Sequence, residues 1–176
     1  VVSDQAIHIG DFIELDSGTQ GYVVEIGWRS TRVRTTFNNI VIIPNSKLAD
    51  SIITNYYGPT MEMAVRVDVG VSYDSDLAYV QRVALEVIKE VVDELPEAVK
   101  DREPRFGYED FGDSNINLWL WVYATDRLGT FNVKTEIIKR LHARFKKEGI
   151  VINYPVRRII HEEPVEIRSL PGSDEL

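Results

Sequence analysis

The pattern of apolar residues changes abruptly at Gly58-Pro59, and that break constrains the fold more than any other feature of the chain. Before it, Phe12-Ile13-Glu14-Leu15 runs into the turn signal Asp16-Ser17-Gly18, and Gly21-Tyr22-Val23-Val24-Glu25-Ile26 follows as a second strand. Thr31 to Thr36 alternates, with Arg32 and Arg34 on one face and Thr31, Val33 and Thr35 on the other. Phe37-Asn38-Asn39 is the next turn, and Ile40 to Ile43 reads as a buried strand. Short strands with no helix between them predict a small β-barrel or sandwich.

After the break, strands and helices alternate. Met61, Met63, Val65, Val67, Val69 and Val71 occupy odd positions of a strand with one core face. Asp74 is placed to cap a helix from about Ser75 to Leu95, whose stripe is Leu77, Val80, Ala84, Val87, Ile88, Val91 and Leu95. Arg105 to Phe111 reads as a short strand, and Asn115 to Thr125 as a longer one with Ile116, Leu118, Leu120, Val122 and Ala124 inward. A second helix is expected from about Thr130 to Glu148, with Phe131, Val133 or Lys134, Ile137, Ile138, Leu141 and Phe145 along its stripe and Gly149 closing it. Ile150-Val151-Ile152 would begin a last strand. The order β-α-β-β-α-β predicts a ferredoxin-like α/β sandwich with both helices on one sheet face. The chain thus divides into a β domain over 1–58, an α/β domain over 59–160 and an acidic tail over 161–176 that looks partly disordered, giving an α+β class.

Composition removes several function classes. Lys and Arg number 20 against 28 Asp and Glu, a net charge of −8, which disfavours nucleic acid as a partner. With no cysteine there is no disulfide scaffold, thiol nucleophile or thiolate-held metal. The longest aliphatic run, Ile40 to Ile43, is too short to cross a bilayer, so the polypeptide as given is expected to be soluble. His8, His142 and His161 have no metal-ligand spacing, and no phosphate loop, dinucleotide fingerprint or serine elbow occurs. An enzyme is therefore not expected, nor a catalytic residue, cofactor or metal. Glu109, Asp110 and Asp113 read as a solvated turn, and Lys139, Arg140, Arg144, Lys146 and Lys147 as a solvated helix end.

The sheet face opposite the helices is the more informative oddity. Trp119, Trp121 and Tyr123 lie there, framed by Arg66 and Asp68 of the neighbouring strand. A row of large aromatics on an uncovered sheet usually marks a contact surface, so self-association is expected; burial against the β part or the tail is the alternative.

The ordered string Ile9-Gly10-Asp11-Phe12-Ile13-Glu14, Gly21 to Arg34, Val41-Ile42-Ile43-Pro44-Asn45-Ser46-Lys47-Leu48 and Ile52 to Tyr56 resembles the small-conductance mechanosensitive channel family. Tyr73-Asp74, Phe111-Gly112-Asp113-Ser114 and Gly149-Ile150 fit that family's α/β domain more loosely. The resemblance implies that the β part is an Sm-like barrel, in which Gly10, Asp11, Gly21, Thr31, Pro44, Asn45 and Asn55 are structural motif residues. It implies a homo-oligomer, a sevenfold ring, forming a hollow vestibule below a tension-opened pore that acts as an osmotic release valve. Inorganic ions and small solutes would pass through side openings near Tyr57, Thr60 and Glu62, and Trp119, Trp121 and Tyr123 would contact a neighbouring copy. Pore helices come before the Gly-Asp motif in such channels, so the full-length protein would sit in the cell membrane with this portion on its cytoplasmic side.

Two local features depart from common members. The junction Tyr56-Tyr57-Gly58-Pro59-Thr60 carries no charge, and the last strand runs into Asn153-Tyr154-Pro155-Val156-Arg157-Arg158. The competing reading is an Sm-like ring that binds RNA, for which the β part offers Arg29, Arg32, Arg34 and Lys47.

Overall fold

In the computed structural model the described residues are 7–157 and Ile159; the acidic segment 161–176 lies outside them. Alternation builds the first sheet. Strands β1 (Phe12–Leu15), β2 (Gln20–Ile26), β3 (Ser30–Arg34) and β4 (Ile40–Pro44) are joined by short turns. A single-turn helix, α1 (Asn45–Ala49), leads to β5 (Ile53–Asn55). The strands pair antiparallel in the order β4-β3-β2-β1-β5. Ile13, Leu15, Val23, Val33, Ile43 and Leu48 form its core on one face.

The expected closed barrel is not present among the described residues. β4 and β5 are the two edges and do not pair with each other. Ile40 to Ile43 is likewise not a buried strand. As an edge it shows Ile40 (51% exposed) and Ile42 (60%) to solvent, while Ile43 enters the core.

The second unit has β6 (Met63–Val71), α2 (Leu77–Glu94), β7 (Arg105–Phe111), β8 (Ile116–Ala124) and α3 (Arg127–Glu148). Its sheet order is β6-β8-β7, all neighbours antiparallel. The two helices cover the face formed by Val65, Val67, Leu118, Leu120 and Val122, with Ile88, Ile137 and Phe145 among the fully buried side chains between the layers. Each fully buried aliphatic contributes roughly 1.5–3 kcal/mol, so this larger core dominates the chain's stability.

Several expectations need correction here. The cap of α2 is Asp76, whose carboxylate accepts from the Tyr79 N–H, not Asp74. α3 begins at Arg127, because Asp126 caps it by accepting from the Gly129 N–H. Its buried stripe is Val133, Ile137, Leu141 and Phe145; Phe131 and Ile138 point outward. The last strand of the ferredoxin-like order is not formed. Ile150 still enters the core, and the Ser72 N–H donates to the Val151 carbonyl at the end of β6. Beyond that, Asn153 turns its backbone and side chain to Ser114 and Asn115, which draws the chain off the β6 edge before a ladder can start.

Candidate functional site

The predicted motif residues form two locks in the β sheet. In the first, Asp11 accepts from the His8 backbone N–H and from the Asn55 side-chain amide, both at 2.8 Å. Asn55 in turn accepts from the Tyr57 N–H. This ties the entry of β1 to the exit of β5 and aims the chain toward the second unit. Gly10 sits at φ +97°, in the left-handed region open to glycine without strain, and starts that turn. In the second lock, Thr31, buried to 1% exposure, donates to the Asn45 side-chain oxygen at 3.0 Å. Asn45 donates its side-chain amide to the Gly27 carbonyl and its backbone N–H to the Arg29 carbonyl. Pro44 precedes α1 in extended conformation, so the strand stops where the helix starts. Gly21 packs directly on the Arg34 backbone, where a Cβ would stand 2.3 Å from the carbonyl oxygen.

The face of β1 opposite the sheet core meets the second unit. Phe12 is fully buried there, edge-on to Tyr22 and tilted against Tyr56. The Arg127 guanidinium lies 5.5 Å from the Phe12 ring centre, 5.4 Å from Tyr56 and 5.2 Å from Phe131. Its Nε is buried without a hydrogen-bond partner. A cation in the first turn of a helix opposes the helix dipole. The three rings supply the compensating negative faces. The Tyr56 hydroxyl donates to Glu14, and that bond, with burial, holds its pKa above the usual tyrosine value of 10.0 while Arg127 pulls the other way. The Tyr57 hydroxyl is pushed up further, by burial first and then by its bond to Tyr22.

On the second sheet, the outer face carries the aromatic row. Trp119 and Trp121 meet edge to face at 6.5 Å, Arg66 lies over Trp119, and Arg102 lies 4.6 Å over the Tyr123 ring. All three are half-buried rather than fully open, and none joins either hydrophobic core. The Trp119 ring lies flat over Gly107, where an added Cβ would come within 2.4 Å of Cζ2. Arg66 bonds both Asp68 and Glu109, so the row is framed by an ion-pair network at one end.

Comparison with known proteins matches both halves. Residues 1–58 match the family described as "Mechanosensitive ion channel, beta-domain", and residues 65–152 match "Mechanosensitive ion channel MscS, C-terminal". The chain belongs to the MscS family of mechanosensitive ion channels. An uncharacterized MscS family protein of Archaeoglobus fulgidus is 34% identical over 159 residues, covering 89% of this chain and 53% of that protein. The small-conductance mechanosensitive channel MscMJ of Methanocaldococcus jannaschii is 32% identical over 168 residues, covering 93% of this chain and 46% of the relative. The chain therefore spans about half the length of these curated relatives. The crystal structure of Helicobacter pylori MscS in its closed state superposes with a TM-score of 0.78 at 28% identity, covering 93% of this chain and 62% of that one.

Within this MscS-family domain the remaining predicted residues are dispersed. Tyr57 is half-buried at the junction, Thr60 is exposed just after the cis Gly58-Pro59 bond, and Glu62 pairs with Arg102 at 2.8 Å. In the basic cluster, Arg140 and Arg144 are paired: Arg140 reaches Glu94 and Glu136, while Arg144 reaches Glu86, Glu90 and Glu148. They join α2 to α3. Asp110 accepts from Asn117, and no group of residues able to hold a metal ion occurs among the described residues. No helix among them is long and apolar enough to cross a membrane. Sequence reading missed Arg127, Arg102 and Gly107. For Arg127 a signal existed: a cation directly after a capping Asp is electrostatically misplaced unless something else holds it.

Proposed function

We propose that this chain is the cytoplasmic vestibule of a tension-gated channel, assembling head to tail into a ring, most simply of seven copies. The observation that carries this reading is the row of Trp119, Trp121 and Tyr123, half-buried outside both cores on a sheet face that the helices leave free. Large aromatics at the centre of a framed patch are where interface energy concentrates. The two open edges, β4 and β5, lie on opposite sides of the first sheet and suit a heterologous contact that closes by rotation. In such a ring the junction segment with Tyr57, Thr60 and Glu62 lines the openings through which inorganic ions and small solutes enter before an osmotic release pore. Arg102 offsets the one carboxylate there, so these openings exert little charge preference of their own. The membrane-spanning part would be supplied by the rest of the protein.

Native mass spectrometry and sedimentation velocity test the assembly. The reading expects a closed ring for the chain joined to the remainder of the channel. A strict monomer at high concentration, both for this chain and for the longer protein, overturns it.

A further inference from the structure

From Ile26 to Ala49 the chain holds four cations (Arg29, Arg32, Arg34, Lys47) and no carboxylate, although the whole protein carries −8. Within this stretch the turn between β2 and β3 stands apart. Trp28 is 84% exposed at its tip, and Ile26 beside it is 44% exposed. The Arg29 guanidinium stacks 4.3 Å from the indole centre, and Lys47 is exposed on adjoining α1. Nearby carboxylates do not neutralise these two cations: Glu25 is bonded to Arg32, and Asp50 lies past the far end of α1. Arg34 is farther along β3, toward its opposite end.

The tip is also rigid and projecting. β1 starts opposite Tyr22, so β2 runs on through Ile26 beyond the start of β1. Asn45 takes the carbonyls of both Gly27 and Arg29, and the Gly27 N–H donates to Ser30, so the turn's backbone is held before any partner arrives. An exposed indole on a held backbone turn, with flanking cations, fits one environment well, the headgroup level of an anionic bilayer. There the ring's apolar body and N–H are both satisfied, and the cations meet a negative surface. A pre-ordered tip loses little conformational entropy on docking. A nucleic-acid strand would need a basic groove to track, and a single indole on a convex tip offers none.

We propose that the Trp28-Arg29 tip, with Ile26 and Lys47, is a docking contact with an anionic lipid surface. This rests on the membrane-channel reading only for the presence of a bilayer; the binding itself is a property of the chain. The test is co-sedimentation of the 176-residue chain with phosphatidylcholine vesicles, with and without phosphatidylglycerol. Trp28 emission is read in parallel in a Trp119→Phe, Trp121→Phe background. Expected are binding only to the anionic vesicles, reversal by salt and a blue shift of Trp28. Arg29→Gln and Lys47→Gln should each weaken partitioning about fivefold, and Trp28→Ala about tenfold. Equal binding by the wild type and Trp28→Ala overturns the proposal. So does failure of the wild type to bind, or retention of polyuridylate RNA through these same residues in place of vesicles. Strict monomers of both this chain and the longer protein, with the vesicle binding intact, would sink the ring and leave this contact standing; a ring that ignores anionic vesicles would do the reverse.

Discussion

Arg127 and Thr31 are single residues on which whole contacts depend, and neither contact is apolar. Arg127 is half-buried against three rings with its Nε buried and unpartnered, so the cation–ring attraction has to offset both partial desolvation and an adverse helix dipole. Replacing it with Ala is expected to destabilise the chain by about 1–2 kcal/mol, read as a lowered urea midpoint. An unchanged midpoint would mean that the rings do not engage the charge. Thr31 has a different task. Its hydroxyl positions Asn45, which in turn fixes the Trp28 turn. Thr31→Val keeps the shape and removes the donor to a part-buried amide oxygen. That should cost about 1 kcal/mol and raise hydrogen exchange in residues 27–30, with little change in the second unit. Thr31 could be read from sequence as an inward position on an alternating strand. Its partner fourteen residues on could not, because side-chain pairing across a turn leaves no periodic trace.

Elements depend on how neighbouring layers press on them. β7 approaches Trp119 so closely at Gly107 that a methyl group cannot be added without moving the indole. Gly107→Ala should therefore cost about 1–3 kcal/mol through overpacking and shift the tryptophan emission. The α2–α3 pair is fastened at its edge by ions. The Tyr79 hydroxyl, then Arg144, hold the Glu148 pKa below its ordinary 4.5. A carboxylate with a depressed folded pKa adds stability above its unfolded pKa and loses it as pH falls through the folded value. The wild type should accordingly exceed Glu148→Gln in stability at neutral pH, with the gap closing below about pH 4.5. Thermal melts across that range give the measurement, and a gap independent of pH would contradict the assignment. Both helices were legible from their stripes, but their starts were not. Asp74 and Asp76 both suit a cap, and only the path of the loop from β6 selects the second.

At the scale of the whole molecule, the question is what the aromatic face of the second sheet does. Trp121→Ala should weaken association by more than about 2 kcal/mol while leaving the monomer's melting temperature nearly unchanged, since the indole lies outside the core. Sedimentation equilibrium and calorimetry separate the two effects. An intact oligomer with a lowered melting temperature would place Trp121 in the fold instead of the interface.

The residues alone determined which sides of β6, β8 and α2 face inward, because a strand or helix period repeats every few positions and burial follows it; for α3 they gave the stripe only in part, since Phe131 and Ile138 point outward. The ordered Gly-Asp and Pro-Asn strings likewise carried the family. Tertiary structure decided the rest: that the first sheet stays open with β4 as an edge, that Asn153 turns away before a fourth strand can pair, and that Arg127 crosses between the units. The last two are contacts between segments far apart in the chain, made by one or two side chains, and the first is a pairing that distant strands do not make. Only the folded chain brings such partners within bonding distance.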